Sequence, residues 1–151
     1  MAQPLEILLV EDSPADALLT LEALRDTKTM HYVHVVGDGV EALRFLRRHS
    51  PHAAAPRPDI ILMDLNLPGM DGKELLAEIK SDKLLREIPV VVLSSSANVD
   101  DVKYAYHHHA ACYITKSAQL DQYLTAVRTL KELWFHTASL PKKASAAQTA
   151  T

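Results

Sequence analysis

Residues 60–72 read IILMDLNLPGMDG: four apolar residues, then Asp64, then Asn66, then a Pro68-Gly69 pair. A short continuous apolar run closed by turn residues fits a strand buried on both faces, as in parallel sheets. An ionised aspartate at the edge of such a core is costly unless it is paired or put to use. Asp64 is therefore a candidate for chemistry.

The same pattern recurs on either side. Glu6–Val10 (EILLV), Tyr32–Val36 (YVHVV), Val90–Leu93 and Cys112–Thr115 (CYIT) read as four further strands. Between them lie helical patterns near Ala15–Arg25, Val40–Arg48, Lys73–Lys80, Val99–His109 and Leu120–Phe135. Ser13-Pro14 opens the first helix as N-cap and first helical residue. In the last, Leu120, Tyr123, Leu124, Val127, Leu130 and Trp134 follow one apolar stripe. Pro51–Pro58 (PHAAAPRP) reads as a loop. Five-fold β-α alternation implies a doubly wound α/β fold, a five-stranded parallel sheet with helices on both faces. Ligands in such folds sit outside the carboxyl ends of the strands, at the switch point of the winding.

Bulk properties narrow the function classes. A chain of 151 residues, 48% hydrophobic and 23% charged, suits one globular domain. A net charge of -3 gives no electrostatic footprint for nucleic acid or an anionic membrane. The N-terminal MAQPLEILLVED lacks the basic start of a signal peptide, and no apolar run is long enough to span a bilayer. The single cysteine, Cys112, excludes an internal disulfide and reads as a small buried hydrophobe. The expectation is a cytoplasmic protein, with residues 1–138 as its domain and 139–151 as a small, polar, disordered tail.

The polar residues fall where this fold puts its site. Glu11 and Asp12 end the first strand, Asp64 the third, Ser94 the fourth and Lys116 the fifth. Any one of the acids alone would read as a helix cap or a surface ion pair. Together they repel one another and call for a hard divalent cation with oxygen ligands, which suits Mg²⁺. A hydroxyl and an ammonium facing them suit a phosphoryl group, with Asp64 as the nucleophile that forms an aspartyl phosphate.

EDSP (11–14), MDLNLPGMDG (63–72), VVLSSS (91–96) and CYITK (112–116), in that order, resemble the receiver domains of two-component response regulators from about Glu6 to Trp134. The resemblance implies the flavodoxin-like strand order 2-1-3-4-5, and phosphotransfer to Asp64 from the phosphohistidine of a sensor histidine kinase. It implies a Mg²⁺ site made by Asp12, Asp64 and the Asn66 carbonyl, with Glu11 acting through water. It gives Ser94 a bond to a phosphoryl oxygen, pairs Lys116 with the phosphorylated carboxylate, and makes Tyr113 the aromatic switch that swings inward. The stretch from His107 to Pro141 further resembles the single-domain regulators partnered with bacterial, especially cyanobacterial, phytochromes.

Ser117 stands where most receivers carry a proline after the lysine, which leaves the cis or trans state of the Lys116-Ser117 bond open. His107, His108 and His109 are consecutive on a helix, so they diverge and read as a solvated face. Tyr113 fits plain core as well as a switch. Leu18, Leu19, Leu21 and Leu24 exceed one core face, and by resemblance the surplus would dock a kinase helix. Leu133, Trp134 and Phe135 either fold back on the domain or pair with a second copy; a broad apolar patch favours a homodimer through the C-terminal helix region. Two further readings compete: a phosphatase-like enzyme forming an aspartyl phosphate, which lacks a second catalytic acid at Asn66, and an interaction module that is never phosphorylated. EDSPAD lacks the glycines of a phosphate-binding turn, which speaks against a nucleotide-binding α/β domain.

Overall fold

The structure, a computed structural model, describes residues 4–26, 28–116 and 119–141. Five strands, β1 (Leu5–Val10), β2 (His31–Val36), β3 (Ile60–Met63), β4 (Val90–Ser94) and β5 (Cys112–Thr115), alternate with α1 (Pro14–Leu24), α2 (Gly39–Arg47), α3 (Gly72–Ser81), α4 (Val99–His107) and α5 (Leu120–Glu132). All pairings are parallel and the order is β2-β1-β3-β4-β5, as expected. The winding reverses between β1 and β3, which puts the switch point at the ends that carry Glu11, Asp12 and Asp64.

Alternation along the strands builds two cores. In β1, Leu8 and Val10 face a cluster with Leu43 and Phe45 of α2, Leu75, Leu76 and Ile79 of α3 and Ala105 of α4. Leu5, Ile7 and Leu9 face the other, with Ala17, Ala23 and Leu24 of α1 and Tyr123, Val127 and Leu130 of α5. β3 and β4 are buried on both faces, which is why they carry no polar residue until they end. The caps follow the sequence: the Ser13, Asp38, Asp71 and Asn98 side chains each accept a backbone N–H of the first turn of their helix.

Three expectations need correction. The last α-helix stops at Glu132, and Leu133–Thr137 form a π-helical turn closed by the Ala138 N–H on the Leu133 carbonyl. The wider turn lets Trp134 and Phe135 pack against the α1/α5 core and leaves Leu133 exposed, so the three do not form one outward patch. Leu120, placed on the inner stripe by its spacing, is also exposed. Finally, α4 ends at His107 because His109 adopts a left-handed backbone (φ 66°). His108 stacks on Tyr104 at 4.0 Å, so only His107 and His109 are exposed.

Candidate phosphoacceptor and metal site

Backbone bonds continue the ladders past the strand ends and hold the site residues level. The Asp64 N–H donates to the Val10 carbonyl at 3.1 Å, Glu11 N–H to Val36 at 2.9 Å, and Lys116 N–H to Ser94 at 2.7 Å. Below Asp64, α3 begins almost on the strand backbone. A Cβ on Gly72 would lie 2.3 Å from the Asp64 carbonyl oxygen, so only glycine permits this approach. Gly69 (φ 69°) supplies the left-handed turn that carries the chain away from Asp64.

The side chains converge. Glu11 (5% exposed), Asp64 (8%) and Ser94 (0%) are buried, while Asp12 faces solvent. Lys116 Nζ lies 2.9 Å from Asp64 Oδ2 and 3.1 Å from Asp16 Oδ2, and it contacts Glu11 Oε1. The other Asp64 oxygen, Oδ1, accepts the Asn66 N–H at 3.0 Å. Burial pulls the Lys116 ammonium down, but hydrogen bonds to Glu11 and Asp64 and their charges outweigh it and hold it well above the usual lysine range. Burial pushes the Glu11 carboxyl up; Lys116 and the Ser13 N–H offset only part of this, and Asp64 adds to it.

Carboxylate oxygens of Glu11, Asp12 and Asp64 all lie within 4.8 Å of one another. Three hard oxygen donors, one of them exposed, fit a divalent cation that keeps waters of its own. Beside them opens a cleft of about 460 Å³ whose walls include Asp12, Asn66, Pro68, Lys73 and Asp101. Residues 7–128 match the family model of the response regulator receiver domain.

The chain belongs to that family. The receiver domain is 45% identical over 138 residues to the response regulator Rcp1 of Synechocystis, an alignment covering 91% of this chain and 94% of Rcp1. Its fold superposes on the phosphorylated cyanobacterial phytochrome response regulator RcpA with a TM-score of 0.89 at 52% identity, covering 92% of this chain and 99% of RcpA. The Mn²⁺-bound form of Rcp1 matches with a TM-score of 0.88 at 45% identity, covering 91% and 99%.

Against that family, Glu11, Asp12, Asp64, Asn66, Ser94 and Lys116 of the receiver domain lie around one end of the sheet, where their motifs put them. Tyr113 sits half-buried against the α2–α4 core and donates its hydroxyl to the Ser96 carbonyl at 2.6 Å. Ser117 lies outside the described residues, and with it the Lys116-Ser117 bond. Asp16, an acid in the first turn of α1, is a third partner of Lys116. A second cluster, Asp26, Glu132 and His136, also brings ligand atoms together. Lys131 Nζ lies 3.7 Å from Asp26 and 3.6 Å from Glu132, so a cation of the chain already serves it.

Proposed function

We infer that this receiver domain accepts a phosphoryl group on Asp64 from the phosphohistidine of a sensor histidine kinase, one of the phytochrome kind. The observation that carries the reading is the surroundings of Asp64: Lys116 on one oxygen at 2.9 Å, and Glu11 and Asp12 within ligand distance. An Asp64 oxygen attacks phosphorus, the phosphorus–nitrogen bond breaks, and its electron pair leaves on the imidazole, which takes up a proton. Lys116 meets the charge on the acyl phosphate and Ser94 donates its hydroxyl proton to a phosphoryl oxygen. Water later attacks phosphorus and Asp64 leaves as carboxylate, so the domain supports its own phosphorylation and slow dephosphorylation without turning over a free substrate.

Mg²⁺ is the cation assigned to Glu11, Asp12, Asp64 and the Asn66 carbonyl; when bound, it neutralises phosphoryl oxygens. Support comes from the all-oxygen donor set and from the Mn²⁺ carried by Rcp1. The phytochrome partnership rests on the similarity to RcpA and Rcp1, and Leu18, 67% exposed on α1, suits contact with a kinase helix. Output is by altered protein contacts, with Tyr113 as the switch. Pairing with a second copy through the C-terminal helix region would use Leu133, a narrower surface than the sequence suggests. The domain is read as residues 1–138, although buried Leu140 argues for a packed segment reaching slightly further; residues 142–151 of the expected tail lie outside those described. Neither nucleic acid nor a membrane is assigned as partner, given the net charge of -3 and no described helix long and apolar enough to cross a bilayer. A cytoplasmic location accords with one half-buried cysteine.

The test is labelling with acetyl phosphate and Mg²⁺. One phosphoryl group should add to the wild type and none to Asp64→Asn, and a phytochrome kinase should transfer its label to the same residue. Undiminished labelling of Asp64→Asn would remove the assignment. No observation favours the phosphatase-like alternative, since Asn66 cannot serve as a general acid.

A further inference from the structure

Ser96, two residues past β4, has every polar group engaged. Its N–H donates to the Ser94 hydroxyl oxygen at 3.2 Å and its carbonyl accepts the Tyr113 hydroxyl at 2.6 Å. Its own hydroxyl accepts the Asn98 N–H at 3.2 Å and gives its single proton to Asp101 Oδ2 at 2.6 Å. Three of these bonds involve the end of β4, the loop after it and β5. The fourth reaches into α4, and Asp101 is held in turn from α3: Lys73 Nζ lies 2.6 Å from Asp101 Oδ1. Lys73 is fixed twice more, by its ammonium 5.3 Å from the Tyr104 ring centroid and by the Tyr104 hydroxyl on its carbonyl at 2.9 Å.

The chain of contacts thus runs from α3 through α4 to Ser94, which meets the phosphoryl group, and to Tyr113, the switch. A serine hydroxyl has one proton to give, and the Ser96 N–H occupies an acceptor position of Ser94. That leaves the Ser94 proton for another acceptor, and Ser94 is fully buried, so its reach depends on where Ser96 is held. Hydrogen bonds from Lys73 and Ser96 keep the Asp101 carboxyl below the usual range, so it stays an acceptor near neutral pH. Both Lys73 and Asp101 line the cleft beside Asp12 and Asn66.

We propose that Asp101, braced by Lys73, is a positioning residue for phosphotransfer: by accepting the Ser96 hydroxyl proton it fixes the 94–98 segment so that Ser94 meets the phosphoryl group. The proposal rests on Asp64 as the acceptor. The competing role is a plain strut between α3 and α4, and the two separate experimentally. Ser96→Ala keeps the backbone bonds to Ser94 and Tyr113 and removes the hydroxyl that Asp101 holds. Asp101→Ala removes the acceptor. The exchange Lys73→Asp with Asp101→Lys restores an ion pair between the helices, but a lysine cannot accept the Ser96 proton.

Acetyl phosphate labelling in Mg²⁺ should slow about tenfold in Ser96→Ala and in Asp101→Ala, the lower end of what loss of an outer-shell partner costs at metal sites. The exchange should recover the urea midpoint lost in Asp101→Ala but not the labelling rate, and the Ser94 and Ser96 amide resonances should stay at their Asp101→Ala positions. Wild-type rates in both alanine variants, or recovery of the rate by the exchange, would overturn the positioning role while leaving Asp64 as the acceptor. A wild type that takes no label would overturn the phosphoacceptor reading and this one with it.

Discussion

Lys116 Nζ lies 2.9 Å from Asp64 Oδ2 and also meets Glu11 and Asp16, so one ammonium serves three carboxylates at the end of the sheet. With Asp12 alongside, the site carries more negative than positive charge. That balance makes Asp64 ready for a cation and makes Lys116 the residue that lets two buried acids coexist.

Lys116→Met should therefore lose stability at neutral pH, on the order of 3 kcal/mol, because Glu11 and Asp64 would be left buried without a cation. Glu11 sets the direction of the pH response. A carboxyl raised above its unfolded value binds a proton more readily when folded, so its contribution favours folding at low pH and is lost as pH rises through the folded value. The variant should regain stability on acidification towards about pH 5, and it should gain more than the wild type from millimolar Mg²⁺. Urea midpoints across pH and Mg²⁺ check both effects. A variant as stable as the wild type at neutral pH and indifferent to acid would refute the account.

Thr20 Oγ1 and the Tyr123 hydroxyl form a buried hydrogen bond of 2.8 Å that joins α1 to α5. Tyr123→Phe leaves the Thr20 hydroxyl without its partner and should cost about 1–2 kcal/mol. Thr20→Val should cost a similar amount, yet the double variant should cost less than the sum because neither group is then orphaned. Additive costs in chemical denaturation would show that the two groups do not act as a pair.

The frame and the acid cluster were legible because both are local. β3, and β4 up to Ser94, are apolar along their length, so their ends, and the polar residues on them, stand out in the chain. β1 and β2 each begin one residue earlier than read, at Leu5 and His31, and β4 runs one residue further to Ser94. What was missed depends on packing between helices. Lys73 and Asp101 meet only because α3 and α4 lie side by side, and no spacing rule ties residues so far apart. Asp16 sits in the first turn of α1, but its bond to Lys116 depends on where the end of β5 lies relative to α1. Helical spacing continued to Phe135, yet spacing cannot register a π turn, so the fold-back of Trp134 and Phe135 was hidden.

Gly72→Ala tests how closely α3 must approach β3. The new Cβ would meet the Asp64 carbonyl oxygen at 2.3 Å and Leu65 Cα at 2.4 Å, both backbone atoms that cannot rotate away. The helix start would have to move, at a cost on the order of 2–4 kcal/mol, and Asp64 would move with it. Phosphorylation should slow in the same variant. Gly37→Ala is the control: a Cβ there meets nothing within 4 Å, and its effect should stay within about 0.5 kcal/mol. Equal stabilities of the two variants would rule out the contact as the reason for glycine.

The C-terminal turn is fastened through Asp26. His136 Nε2 lies 2.8 Å from Asp26 Oδ2, the N–H groups of Lys28 and Thr29 donate to Oδ1 at 2.7 and 3.0 Å, and Lys131 Nζ lies 3.7 Å away. Burial pushes the Asp26 carboxyl up, but the bond from His136 and the two backbone N–H groups outweigh it and bring it down to about 2, from an ordinary 3.8. A carboxyl lowered on folding contributes stability above its unfolded value and loses it as pH falls through the folded one. Relative to Asp26→Asn, the wild type should be more stable by about 1–2 kcal/mol above pH 4, and the difference should vanish as pH falls towards 2. His136→Ala should shrink that difference, and Trp134, packed in the same turn, should report the loosening by its fluorescence. A difference between wild type and Asp26→Asn that persisted unchanged to pH 2 would mean that the carboxylate charge is not what fastens the turn.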